Sequence, residues 1–252
     1  MTRLGRRYIP DARDAQFPMG AVTGRRETSR NARYWRDDLW VGNQGYFPHC
    51  VGFAWSHWLE SGPVFHPNLD PPAVDPADLY FEAQKVDEWP GTDYSGTSVR
   101  AGAKVLKQLG FIESYHWARK LWEVVEALLY EGPVVLGTDW FVKMSRPNKW
   151  NVMRARGGMQ GGHAYLATGV HVPKQLIRIR NSWGTGWGLN GRAWIRFRDM
   201  KKLLKRQGEA CLAKEVSKKT AMQQLRETCL NAEVAPPTAE ASGNPAASVR
   251  AG

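Results

Sequence analysis

The feature that most constrains this chain is a change of hydrophobic period at Gly132-Pro133. Before it, apolar residues recur at helical spacing; after it they alternate, as in half-buried strands. Val51, Phe53, Ala54, Trp58 and Leu59 form one helical stripe from His49 to about Glu60, which Ser61-Gly62-Pro63 ends. A short helix is predicted around Asp75 to Lys85, with Pro76 suited to its first turn. Thr97 is expected to cap a helix reaching Leu109, and a further helix is expected from Ala118 to Tyr130. Beyond Pro133, the segments Val134 to Phe141, Ala164 to His171, Leu176 to Arg180 and Ala193 to Phe197 read as strands. A short helix near Asp199 to Arg206 and a strand at Glu209 to Val216 complete the pattern. Helices followed by strands predict an α+β protein with its site at the junction.

The flanks read differently. Residues 1–38 are arginine-rich, broken by Pro10 and Pro18, and are expected to lie extended over the body as a structural segment or a regulatory strap. Residues 217–252, rich in Ala, Pro, Ser and Gly toward the end, are expected to form a largely disordered tail. Residues 39–216 remain as the domain, with a helical part over about 39–132 and a strand part over about 133–216. Arg178, Arg180, Arg192, Arg196 and Arg198 alternate with apolar residues and are expected to form a solvated sheet face.

Composition narrows the classes of function. The 252 residues carry 42% hydrophobic residues and no apolar run long enough for a membrane span. The N-terminus lacks an apolar block of secretory type, and three scattered cysteines argue against a disulfide framework, so a reducing, cytoplasmic setting is expected. The net charge of +11 comes without a long basic tract or a nucleic-acid motif, so no nucleic-acid partner is expected. No His-Glu-x-x-His or paired Cys-x-x-Cys is present, so neither a metal nor any other cofactor is expected.

Three segments could carry chemistry. In Asn43-Gln44-Gly45-Tyr46-Phe47-Pro48-His49-Cys50, a thiol stands at a helix start, where unpaired N–H groups and the dipole favour a thiolate. A glutamine amide nearby can reach the same point as an oxyanion donor. A cysteine there is also an ordinary small core residue. Of six histidines, His57 lies too far along the same helix to act as a base, and His49 is adjacent in sequence, where it could line a site without pairing. His66 falls among prolines and His116 in a loop. His163 follows a glycine-rich approach and opens an apolar strand. Asn181 ends the next strand, and its carbonyl could hold an imidazole in one tautomer, with Trp183 excluding water. A tryptophan-studded turn that packs a sheet end is the structural alternative.

Gln44 six residues before Cys50, then Gly162-His163-Ala164, then Asn181-Ser182-Trp183-Gly184-x-Gly186-Trp187-Gly188 resemble the papain-like cysteine peptidases, in that order. The resemblance covers roughly residues 40–216. It implies a two-lobe fold, with a helical first lobe, an antiparallel sheet or barrel as the second, and a cleft between them. It also implies Cys50 as nucleophile, His163 as base, Asn181 as its orienter and Gln44 as oxyanion donor. Trp183, Gly162 and His49 are then candidates for the substrate-binding surface. Phe47 and Val51 stand where the family usually has further Cys and Trp, and His49 replaces a small residue. His163 follows Cys50 by 113 positions, against the family's ~130–150, a trimming that resembles compact bacterial or phage members. The resemblance implies hydrolysis of a protein or peptide by a monomer. Amide cleavage in cell-wall peptides and an inactive binding module are the alternatives.

Overall fold

The computed structural model of the chain describes residues 4–23, 30–63 and 72–216. His66, Cys229 and the expected tail over 217–252 lie outside them. Met1–Glu215 fall in one compact unit.

Three helices build the first half. Helix α1 (Cys50–Leu59) is buried along its whole length, as a helix apolar on all sides must be. Helix α2 (Pro76–Val86) starts on Asp75, whose carboxylate accepts the N–H groups of Ala77 and Asp78. Helix α3 (Val99–Gln108) is capped by Ser98, which accepts the Ala101 N–H at 3.0 Å. Thr97 was the expected cap, but its hydroxyl donates to Asp87 Oδ2 at 2.7 Å, and its N–H and C=O are both taken by another segment, described below.

The rest is an open eight-stranded sheet, two of whose strands lie before Pro133, with two helices in one apolar core. Its strands are β1 (Ala32–Tyr34), β2 (Ile112–Ala118), β3 (Val134–Phe141), β4 (Val152–Met153), β5 (Met159–His171), β6 (Leu176–Arg180), β7 (Arg192–Arg196) and β8 (Glu209–Glu215). The order is β2-β8-β3-β5-β6-β7-β4, with β1 paired to β5 off this path, so the sheet does not close into a barrel. All pairings are antiparallel except β4 with β7. Helices α4 (Leu121–Tyr130) and α5 (Phe197–Lys205) share the sheet's apolar core.

Two expectations fail here. The segment around His116 is not a loop: β2 runs through it and pairs with β8, and the helix predicted from Ala118 starts only at Leu121. The arginine face of the sheet is not wholly solvated. The segment 35–40 covers it, so Arg178 donates to the Trp35 carbonyl at 2.6 Å and Arg180, 1% exposed, to the Trp40 carbonyl at 2.5 Å. Asp37, itself buried, pairs with both Arg178 and Arg192, while Arg198 stays exposed. Buried cations need such a partner, and the strands' own pattern could not reveal one arriving from elsewhere.

A second apolar cluster joins α1, α2 and α3 to the other face of the sheet through Val135, Ala164, Leu166 and Cys211. Cys50 belongs to this cluster. The N-terminus of α1 therefore lies against β5 at Ala164, the residue after His163.

Candidate active site

Cys50 is the first residue of α1, with His49 at the cap position and no side chain capping the helix. The Val51 N–H is directed to its sulfur, as expected at an open helix N-terminus. Across the junction, the Ala164 N–H donates to Cys50 Sγ at 3.4 Å.

His163 is fully buried. Its Nε2 lies 2.8 Å from Asn181 Oδ1. That same oxygen accepts the Ser182 N–H at 2.9 Å, which identifies it as an acceptor and makes Nε2 the donor in the ring. Nδ1 is left as the unprotonated nitrogen of the neutral ring, buried and without a hydrogen-bond partner. Trp183 packs on the ring at 5.3 Å between centroids, and Trp140 meets it edge-on at 4.6 Å. Trp187 packs on both tryptophans. This wall keeps water from the His163–Asn181 contact. Trp140 lies on β3, and the strand pattern over Val134 to Phe141 does not distinguish it from any other buried strand residue.

Gln44 joins the same layer. Its N–H donates to the Ser182 carbonyl at 2.8 Å, and Ser182 Oγ donates to Gln44 Oε1 at 2.6 Å. With the oxygen end held there, Nε2 faces the start of α1 and donates to the Phe47 carbonyl at 2.6 Å. Ser182 links Gln44 to Asn181, a role the sequence did not signal.

His49 is not part of this group. It packs between Phe47, Tyr80 and Phe81, and burial lowers its pKa. His57 is an internal acceptor: its Nε2 takes the Gly42 N–H at 3.1 Å, and burial followed by the Arg180 charge pulls its pKa down to about 3. Gly162 presents its carbonyl outward, and that carbonyl is occupied.

The occupant is the chain's own N-terminal segment, Leu4–Arg7. The Arg6 N–H donates to the Gly162 carbonyl at 3.1 Å. Thr97 N–H donates to the Gly5 carbonyl at 2.9 Å, and Arg7 N–H to the Thr97 carbonyl at 2.8 Å, a parallel bridge. The segment thus hydrogen-bonds at once to β5 and to the residue before the α3 cap. Gly5 passes so close to α1 that a Cβ there would lie 1.8 Å from the Pro48 carbonyl oxygen. Its N–H is directed to the Cys50 sulfur.

The covering strand changes the electrostatics expected of the site. Cys50 is 0% exposed, and burial raises its pKa to about 11 against the smaller opposing pull of the Ala164 and Gly5 N–H groups. Burial lowers His163 to about 4, with the Asn181 hydrogen bond opposing. Both shifts favour the thiol and the neutral imidazole over the ion pair. Burial thus works against the expected low-pKa thiolate in this closed state, since desolvation opposes a helix N-terminus worth at most ~2 kcal/mol. Among the described residues no group of three His, Cys, Asp or Glu could hold a metal ion, and no helix is long and apolar enough to cross a membrane.

No family model matches the chain. An uncharacterised peptidase C1-like protein of Acanthamoeba polyphaga mimivirus is 22% identical over 156 residues, 45% of this chain and 50% of its own. The chain thus spans about half the length of that curated relative. Among solved structures, xylellain, a cysteine protease from Xylella fastidiosa, superposes with a TM-score of 0.67 at 19% identity, over 86% of this chain and 98% of its own. The proform of Amb a 11, a cysteine protease and major ragweed pollen allergen, gives 0.57 at 14% identity, covering 79% of this chain and 70% of its own. Procathepsin L 3 from the larval midgut of Tenebrio molitor gives 0.54 at 14%, covering 75% and 71%. The chain has the papain-like fold of these cysteine proteases.

Proposed function

We propose that this chain is a cysteine peptidase that is latent while its own N-terminal strand fills the cleft. The observation that carries the reading is the Asn181 hydrogen bond that leaves His163 Nδ1 unpartnered, one residue from the Ala164 N–H that donates to the Cys50 sulfur. With the cleft open to water, desolvation no longer favours the thiol, and Nδ1 takes the proton of Cys50. The sulfur attacks the carbonyl carbon of a bound peptide, and the carbonyl π electrons move to oxygen. The Cys50 backbone N–H and Gln44 Nε2 donate to that oxyanion, each worth roughly 3–4 kcal/mol when well placed. His163 returns its proton to the leaving amine, giving a thioester. Water, deprotonated by the same ring, hydrolyses the thioester and restores the thiol. Asn181 holds the ring with Nδ1 toward sulfur throughout, and Ser182 fixes Gln44. His49, packed between aromatic rings, has no part in these steps.

The short Cys50-to-His163 interval supports a compact member of bacterial or phage type, and we propose that it acts as a monomer. The two described cysteines are unpaired, which fits a reducing compartment. The test is turnover of fluorogenic peptides by the full chain carrying Gly5→Ala, which lifts the strand, against the same chain with Cys50→Ala added. Hydrolysis by the first and none by the second, at equal Tm, is expected; equal hydrolysis by both refutes the assignment.

A further inference from the structure

We propose that the cationic surface formed by residues 142–156 and the adjoining side of α5 docks an acidic stretch of a protein substrate, outside the residues that enter the cleft; this rests on the peptidase reading above. Charge is divided unevenly along the chain. Residues 142–206 hold fifteen Lys and Arg and one acid, Asp199. The remaining residues hold 20 Lys and Arg and 23 Asp and Glu, so the whole excess of +11 comes from this stretch. Arg178, Arg180 and Arg192 are taken up by the segment 35–40, Arg206 pairs with Asp139 at 2.9 Å, and Arg198 approaches Asp199 at 3.8 Å. Lys143, Arg146, Lys149 and Arg156 are exposed, and among the described residues none of them has an ion-pair partner.

These cations are held together by backbone. The Lys143 N–H donates to the Arg156 carbonyl at 3.1 Å, which sets the two residues side by side. Asn148 orders the turn between them, its Oδ1 accepting the Trp150 and Val152 N–H groups, both at 3.0 Å. Lys202 of α5 joins the turn by donating to the Ala155 carbonyl at 2.7 Å. Lys202 and Arg206 both lie over the Phe141 ring, at 4.9 and 5.5 Å. The surface also adjoins the candidate site. Ser145 Oγ accepts the Trp140 Nε1 hydrogen at 2.9 Å, and the Ser145 carbonyl accepts that of Trp187 at 3.0 Å. Trp140 and Trp187 belong to the wall at His163, and Arg146 follows Ser145 directly.

Cations crowded without counter-charges raise the local potential, and a polyanionic chain lowers it. A single-stranded nucleic acid would also need aromatic platforms for its bases. In residues 142–206 Trp150 is the one exposed aromatic ring, and Lys149 Nζ already lies 4.5 Å over it. An acidic polypeptide needs only carboxylates facing exposed Lys and Arg. A protein being cut at Cys50 continues beyond the tryptophan wall, so its flanking residues reach this surface without a separate binding event. Such docking speeds capture of the substrate more than it tightens the complex.

The test uses the full chain with Gly5→Ala, which lifts the strand. Fluorogenic peptides sharing one cleavable core carry, beyond a Gly-Ser spacer, a run of glutamates or a run of glutamines, at either end. Values of kcat/KM are compared at about 10 mM and about 1 M NaCl, where the screening length is ~30 and ~3 Å. At low salt the glutamate tail should raise kcat/KM about tenfold at one end, and the gain should vanish at high salt. Lys143→Glu, Arg146→Glu and Lys149→Glu together should abolish the gain and leave the glutamine peptide's rate unchanged. Should that variant fail to fold, the same positions changed to Gln should remove the gain. An equal change of net charge elsewhere, Lys85→Glu, Lys107→Glu and Lys120→Glu on α2, α3 and the start of α4, should keep most of it. No gain at low salt, or equal loss in both triple variants, overturns the docking surface and leaves the peptidase reading standing. If neither peptide is cut, the peptidase reading falls, and the surface is judged by fluorescence anisotropy of the labelled glutamate tail. Binding lost only in the first triple variant supports it, and any other pattern overturns it. Tighter binding of an oligothymidylate with the same number of charges also overturns it, in favour of a nucleic-acid partner.

Discussion

Gly5→Ala adds one methyl group and should expose the thiol. The new carbon would lie 1.8 Å from a backbone oxygen, that of Pro48, so no rotamer change can relieve the overlap and the strand has to lift. Its hold comes from three backbone hydrogen bonds and the Arg6–Glu209 pair, and each such bond contributes only ~0.5–1.5 kcal/mol net. With the strand in place the Cys50 pKa is about 11. At pH 8 that leaves roughly one thiolate in a thousand, whereas an ordinary thiol near ~8.5 has about one in four, a ratio of about two hundred. The more basic thiolate is the better nucleophile, by a Brønsted slope of ~0.4–0.5, which takes back roughly tenfold. About twentyfold remains from ionisation alone, and steric access adds to it. The assay is the rate of iodoacetamide labelling at pH 8, followed by intact mass and peptide mapping. Cys211, buried and with its pKa raised well above an ordinary thiol's, should stay unlabelled in both forms. Labelling of Cys50 in Gly5→Ala at the wild-type rate, with the fold intact, would refute the idea that this strand covers the sulfur.

Other outcomes follow from the same geometry. Asn181→Ala, in the strand-lifted chain, should lower kcat about 10- to 100-fold with little change in KM, because one hydrogen bond to a buried ring is lost; unchanged kcat would remove Asn181 from its positioning role. Asp37→Ala strips the carboxylate from Arg178 and Arg192 and should cost about 3–5 kcal/mol in urea unfolding; a change within ~0.5 kcal/mol would mean that water already pairs them. His57 has a folded pKa of about 3, below its unfolded value, so the unfolded chain binds the extra proton. Its contribution is complete above the unfolded pKa and falls as pH drops toward 3, by about 2.7 kcal/mol at pH 4.5 for an unfolded value of ~6.5. His57→Gln keeps an acceptor for Gly42 and should flatten the acid dependence of stability by that amount; parallel curves for the two proteins would contradict this.

What could be read from the residues, and what could not, divides along physical lines. Cys50 starts α1 and Asn181 follows β6, so local pattern places both elements, whereas His163 lies inside β5, which already begins at Met159 within the glycine-rich run read as an approach to it. The covering strand leaves no pattern of its own. Gly5, Arg6 and Arg7 bond through backbone to Thr97 and Gly162, and backbone partners carry no side-chain signal. Ser98, and not Thr97, caps α3, because the Thr97 hydroxyl is bonded to Asp87. The arginines of β6 and β7 alternate as a wet face would, and only Asp37, more than a hundred residues earlier, turns that face into an interior. The thiol's pKa depends on what lies above the sulfur, so a helix start alone gave the wrong sign. Glu209 was legible as a strand residue but not as the buried partner of Arg6, which comes from a distant segment.

The central claim is that Cys50 and His163 act as a nucleophile and base pair once the strand is lifted. The most direct measurement is covalent capture by an epoxysuccinyl peptide, read by intact mass on the full chain with Gly5→Ala. One adduct on Cys50, absent when His163→Ala is added at unchanged Tm, is the predicted result. Capture at the same rate with and without the imidazole would contradict it.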